Sequence, residues 1–294
     1  MAEGGYKLTS NLTENNIAIN KSELLEFASE IRKSIVKTAY NTKQAVHIGG
    51  AMSMADVLAV LYGKIMQLET NNPNEDTRDR FVLSKGHDCL GLYAALHIVG
   101  IITDEELREN FLTDGGFLPV HTVKRIDKGI ECTSGSLGMG LSFGIGKALA
   151  AKSDNKTYKT FVLVGDGECN EGEIWEAIAA AKHYKLDNLI MIVDRNRLQS
   201  DGATNEIMNI DLVAALKSFG WNVSEIDGHN IEMITEALSQ SINNANNVPS
   251  AIVANTTKGK GVSFMENNNA WHHGLLTEKL FHEAMEELLG DRDY

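Results

Sequence analysis

From residue 22 onward, Leu24, Leu25, Ala28, Ile31, Ile35 and Val36 recur at three- and four-residue spacing with Glu and Lys between them, which predicts an amphipathic helix. The preceding residues 1–20 are polar, rich in Asn and Thr, and read as an arm, loose or docked on something else. The stretch 54–66 reads as a second amphipathic helix with Asp56 in its first turn. Residues 80–84 form a short apolar run before a glycine turn and predict a buried strand. Residues 90–99 read as helical, and Thr103-Asp104-Glu105-Glu106 has the form of a capping box opening another helix.

The middle of the chain is more regular. Residues 160–165 and 188–194 are β-branched apolar runs, separated by a helical pattern over 172–184. Then follow a helix over 211–219, an extended segment over 221–226, a helix over 231–242 and a strand over 250–255. A terminal helix is predicted over 277–289, with Gly290 behind it as a stop. Apolar strands alternating with helices predict an α/β fold, a mostly parallel sheet with helices on both faces. Such folds bind ligands at the carboxyl ends of their strands. No repeat or Pro-rich linker divides a chain with only 3 prolines, so 1–294 reads as a single domain.

Composition narrows the function. With 43% hydrophobic and 23% charged residues among 294, the chain is an ordinary globular protein and not a disordered one. Its formal charge of -13 argues against binding nucleic acid or an anionic membrane. Cys89, Cys132 and Cys169 form no Cys-x-x-Cys pair, which fits a reducing compartment. Neither a secretory leader nor an apolar run of about 20 residues is visible, so the expected location is cytoplasmic.

The chemistry concentrates in Gly165-Asp166-Gly167-Glu168, between a strand and a helix, where backbone N–H groups and the helix dipole favour a phosphate. Asp166 suits a hard divalent cation. About thirty residues on, at the end of the next strand, stands Asn196. Adjacent strand ends are neighbours in a parallel sheet, so Asp166 and Asn196 can meet over one metal ion.

Gly-Asp-Gly followed by this Asn resembles the diphosphate-anchoring signature of thiamine diphosphate enzymes. The likeness extends further. Val46-His47-Ile48-Gly49-Gly50 is similar to the first histidine motif of transketolases, and Ser84-Lys85-Gly86-His87 to their second. Thr133-Ser134-Gly135-Ser136-Leu137-Gly138 resembles their glycine-rich cofactor loop. Asp227-Gly228-His229 and the segment 256–261 also read as transketolase sequence, and the match runs from about residue 22 to about 273. Other enzymes of this cofactor share Gly-Asp-Gly and Asn but differ in the histidine motifs.

The resemblance implies the thiamine-diphosphate-binding (diphosphate-domain) fold and assigns roles by position. Asp166, the Asn196 side chain and the Leu198 carbonyl would bind Mg²⁺ (or Ca²⁺). Gly165, Gly167, Glu168, Lys258, His87 and His272 would surround the diphosphate, and Gly135, Ser136 and Leu137 the aminopyrimidine. His47, His121 and His273 would act on the substrate, where an imidazole suits proton transfer near neutral pH. His272 and His273 both precede Gly274, and either can be the family's loop histidine. Val120-His121-Thr122 departs from the usual Gly-His-Pro, and Met139 stands where Gln is common. Glu171 would be a buried interface glutamate linking two cofactors. His97, His183, His229 and His282 are read as structural, and the cysteines as packing.

The implied reaction transfers a two-carbon ketol unit from a ketose phosphate to an aldose, the cofactor acting as electron sink. The resemblance covers only a transketolase's first domain. It therefore implies the N-terminal subunit of a split transketolase. The partner would be a separate C-terminal subunit carrying the pyrimidine domain, in an α₂β₂ assembly. That partner would supply the activating glutamate and most substrate-phosphate ligands. An unusual sugar substrate, or an inactive scaffold paralogue, are the alternatives.

Overall fold

The computed structural model describes residues 19–290. Most of the predicted arm lies outside them. Asn20 does not belong to an arm at all: it caps helix α1 (Lys21–Asn41) through a reciprocal capping box with Glu23.

Strands β1 (Arg80–Leu83), β2 (Thr160–Gly165), β3 (Leu189–Arg195), β6 (Asn222–Asp227) and β7 (Ser250–Asn255) form one sheet in the order β1-β2-β3-β7-β6. Every pairing in it is parallel. The remaining strands, β4 (Leu198–Gln199) and β5 (Gly202–Ala203), make a small antiparallel hairpin beside the sheet.

The period-2 geometry of a strand divides the core in two. Phe81, Phe161, Leu163, Ile190, Ile192 and Ile252 face one cluster, under α1, α2 (Gly49–Ser53), α3 (Ala55–Val60) and α4 (Cys89–Ile98). Their strand neighbours Val82, Val162, Val164, Met191, Val193 and Val253 face the other. That second cluster lies under α6 (Met139–Ser153), α7 (Gly172–His183) and α9 (Leu212–Ser218). Between these helices in chain order come α5 (Asp104–Asn110), opened by the expected Thr103–Glu106 capping box, and the short α8 (Thr204–Ile207). Helices α10 (Ile231–Ile242) and α11 (Glu278–Gly290) complete the first face.

Three elements differ from the sequence reading. Residues 54–66 are not one amphipathic helix: α3 runs into a π-helical turn, Leu61–Ile65, and 55–63 are buried throughout. A segment apolar on all sides belongs inside the protein. Asp56 is accordingly buried, and its charge is met by Arg32 on α1. Helix α6 gave no legible pattern because it is glycine-rich. A Cβ on Gly140 would lie 2.6 Å from the Ser84 Cα, and one on Gly144 would lie 2.3 Å from a Val162 methyl. Glycine here trades helix propensity for close packing on β1 and β2. Gly290 is the last residue of α11 and not a stop beyond it.

No helix among the described residues is long and apolar enough to cross a membrane. All three thiols are free, and burial raises each above its ordinary range, in keeping with packing roles.

Candidate active site

The carboxyl ends of β2 and β3 stand side by side: Gly165 pairs with Asp194, and the Asp166 N–H donates to the Asp194 carbonyl at 3.2 Å. Asp166 is buried, and its oxygens accept from the Gly167 N–H at 3.0 Å and the Arg197 N–H at 2.8 Å. Burial and the neighbouring Asp194 push its carboxyl up to about 6. No Lys, Arg or His forms an ion pair with it among the described residues. The Arg197 bond ties Asp166 to the loop that carries Asn196 and Leu198. Asn196 donates Nδ2 to Asp194 Oδ2 at 3.0 Å and accepts the Leu198 N–H on Oδ1 at 3.1 Å, so its amide orientation is fixed. The Leu198 carbonyl accepts from Lys258 Nζ at 3.2 Å.

Behind these residues lies a charged network that sequence reasoning missed. Lys85 Nζ donates to Asp194 Oδ2 at 2.5 Å, to the Gly50 carbonyl at 3.0 Å, and pairs with Asp88 Oδ2 at 2.9 Å. All three of its N–H bonds are thereby used. Asp194 also accepts from Ser53 Oγ at 2.6 Å and from the Thr256 hydroxyl. Burial alone would raise Asp88 and Asp194, but the Lys85 ammonium holds both below the usual carboxylate range. Two signals were available: a lysine inside the second histidine motif, and an aspartate closing an otherwise apolar strand.

Five histidines gather on one side of the cleft. The His47 ring centroid lies 5.0 Å from that of His87, 6.1 Å from His121, 5.2 Å from His272 and 4.7 Å from His273. Burial lowers His47 to about 3 and His272 to about 4, with neighbouring His87 and, at His272, Lys258 adding to the effect. Burial lowers His87 as well. The His47 Nδ1 is buried with no hydrogen-bond partner among the described residues. His272 Nδ1 lies 2.8 Å from Lys258 Nζ.

Every candidate residue except Ser136 and His273 lines a single cleft of about 490 Å³. Ser136 and His273 are exposed at its edge. A further cleft of about 500 Å³ also has Asp166, Asn196 and Leu198 in its lining. Gly135 and Leu137 reach the cleft from the loop before α6. Two glutamates of the cleft differ in setting. Glu168 is buried and accepts from Ser84 Oγ at 2.5 Å and from the Gly138 and Gly165 N–H groups at 2.8 and 3.0 Å. Glu171 is exposed on the surface of this chain, at the start of α7. Asn170, Gln199, Ser200 and Asp201 also line the cleft and were not singled out by sequence.

Comparison with known proteins agrees with this geometry. The sequence family described as "Transketolase, thiamine diphosphate binding domain" matches residues 26–290. An apulose-4-phosphate transketolase subunit of Phocaeicola vulgatus is 45% identical, covering 90% of this chain and 94% of the relative. The 6-deoxy-6-sulfo-D-fructose transketolase subunit SqwG of a Clostridium species is 43% identical over 82% of this chain and 88% of its own length. Among solved structures, transketolase from Campylobacter jejuni superposes with a TM-score of 0.83 at 31% identity, over 94% of this chain but 44% of that one. Transketolase from Leishmania mexicana gives 0.83 at 30%, over 90% and 41%. The chain thus spans about two fifths of these solved transketolases. By family match, identity and fold, it belongs to the transketolase family and corresponds to its thiamine diphosphate binding domain.

Proposed function

We propose that this chain is the diphosphate-binding subunit of a two-chain, thiamine-diphosphate-dependent transketolase, with 1–294 acting as one domain. The observation that carries the reading is the convergence of Asp166, Asn196 and Leu198 on one cleft with four histidines, and with His273 beside His47 at its edge. The donor set fits the cofactor. Asp166 is a buried carboxylate without a cation, and carboxylate, amide and carbonyl oxygens suit Mg²⁺ or Ca²⁺. Among the described residues no group of three or more His, Cys, Asp or Glu could hold a metal alone. Diphosphate oxygens would have to complete the shell.

Lys258 and His87 would hold the diphosphate, and Gly135 and Leu137 the aminopyrimidine. A side chain on Gly167 would meet Gln199 Cβ at 2.9 Å, so glycine keeps this wall close. Bound thiamine diphosphate supplies the electron sink for breaking the bond beside a ketose carbonyl. His47, His121 and His272, with His273 at the rim, would hold and move protons at sugar hydroxyls. Burial and neighbouring positive groups favour the neutral imidazoles of His47 and His272, the form that can accept a proton.

Relatives named as single subunits of a transketolase, and matched over nearly their whole length, support a separate partner. In our reading that partner carries the pyrimidine domain, the activating glutamate and most substrate-phosphate ligands, in a cytoplasmic α₂β₂ complex. An unusual sugar substrate is favoured over the common pentose phosphates. The two relatives at 43–45% identity are named for apulose 4-phosphate and a sulfofructose, while human transketolase is 35% identical. The intact donor set speaks against a scaffold. A thermal shift with thiamine diphosphate and Mg²⁺ tests the reading: a cofactor- and metal-dependent rise in Tm is expected, and none would contradict it.

A further inference from the structure

His229 lies outside the cleft, yet the structure connects it to a buried cation of the cleft, Lys258. Its Nε2 accepts the Thr257 N–H at 2.8 Å, and its Nδ1 lies 2.7 Å from Asp56 Oδ2. A backbone amide can only donate, so Nε2 must be the unprotonated nitrogen and Nδ1 must carry the hydrogen that Asp56 accepts. Asp56 is fixed in turn by the Arg32 guanidinium, which reaches both carboxylate oxygens from α1. The next residue after Thr257 is Lys258, whose ammonium sits between the Leu198 carbonyl at 3.2 Å and His272 Nδ1 at 2.8 Å. On the other side of the same short segment, the Thr256 hydroxyl is held by Asp194.

We propose that His229 is a positioning residue for the cofactor site: with Asp56 it fixes the Thr257 backbone, and thereby sets where Lys258 presents its charge. The proposal rests on the reading of Lys258 as a diphosphate ligand. The physical case is one of reach. A lysine has four rotatable side-chain bonds, so its ammonium is placed accurately only if the backbone beneath it is fixed. Here that segment is held by two side chains from different strands, Asp194 within β3 through the Thr256 hydroxyl and His229 just after β6 through the Thr257 N–H. Backbone bonds add to these ties: the Thr256 N–H to the Arg195 carbonyl at 3.2 Å, the Gly259 N–H to the Gly49 carbonyl at 2.9 Å, and the Asn267 N–H to the Lys258 carbonyl at 2.9 Å. His229 is itself anchored away from the cleft, through Asp56 and Arg32. Partners of this second rank are worth roughly 10- to 100-fold in affinity at other ligand sites.

The test is titration calorimetry of the full chain with thiamine diphosphate and Mg²⁺, alongside its thermal unfolding. His229→Asn keeps a group facing Asp56 but removes the acceptor for Thr257. His229→Gln places an amide oxygen near the position of Nε2 and keeps it. The expected result is about tenfold weaker cofactor binding for His229→Asn, with His229→Gln within about twofold of the wild type. In a Lys258→Met background, His229→Asn should add less than about twofold, because the two act through one contact. Equal affinities for all three forms would overturn the proposal. So would equal losses in both His229 variants, or full additivity with Lys258→Met. Absence of cofactor binding by the wild-type chain would instead overturn the function proposed above, so the two failures are distinguishable.

Discussion

Asp166 and Asp194 are buried carboxylates at the ends of neighbouring strands, joined through one backbone hydrogen bond, and the protein treats them in opposite ways. Asp194 is saturated. Lys85, Ser53, Asn196 and Thr256 all donate to it, and its carboxyl stays below the usual range despite complete burial. Asp166 receives backbone N–H groups and a distant Thr204 hydroxyl at 3.4 Å, but no cation, and its carboxyl rises to about 6. A buried charge without a partner is costly, and such sites persist where a ligand completes them. The difference teaches where the framework ends and the binding site begins. Asp194 aligns Asn196 and is structural, while Asp166 faces outward to a charge that the chain does not supply.

Five substitutions break or sharpen this contrast. The largest effect is expected from Asp166→Ala, which should weaken thiamine diphosphate binding by at least about 100-fold in calorimetry. The cofactor-free variant should not lose stability. It should gain about 2–4 °C in Tm for each kcal/mol of relieved charge burial. Unchanged affinity would remove the metal assignment.

Lys85→Met should behave in reverse. Leaving Asp88 and Asp194 buried without their cation should cost about 3–5 kcal/mol in urea unfolding, before any cofactor is added. A loss under about 1 kcal/mol would mean that the two aspartates do not depend on this lysine.

The histidines separate next. If His47 works on substrate, His47→Ala should lower kcat/KM by about 100-fold while cofactor affinity stays nearly intact. His87→Ala should do more harm to cofactor binding than to turnover. Reversed phenotypes would exchange their roles. The smallest effect belongs to Ser53→Ala, which removes one of the four donors to Asp194 and should cost about 1 kcal/mol in the same unfolding assay. A larger penalty would show that Asp194 is less well satisfied than its contacts indicate.

Much of this arrangement was legible in the sequence, for local reasons. The three central strands, β2, β3 and β7, announced themselves as apolar runs because both faces of a parallel sheet are buried. Asp166 and Asn196 could be paired from their positions at consecutive strand ends. Helix α6 was not legible, since its Gly140 and Gly144 answer to contacts with β1 and β2 distant in sequence. The same holds for the Lys85 network, whose members come from segments over 100 residues apart. His229 carried a motif but no visible partner. Its link to Asp56, 173 residues away, exists only in three dimensions. Sequence placed the groups that face the ligand better than those that hold them in place.

The central claim is that this chain holds the cofactor's diphosphate but needs a second chain to act. It is tested most directly by mixing the purified protein, thiamine diphosphate and Mg²⁺ with a ketose phosphate and an aldose acceptor, with and without its C-terminal partner. The predicted result is no ketol transfer by the chain alone, and activity that saturates near one partner per chain. Robust ketol transfer in the absence of any second polypeptide would contradict it.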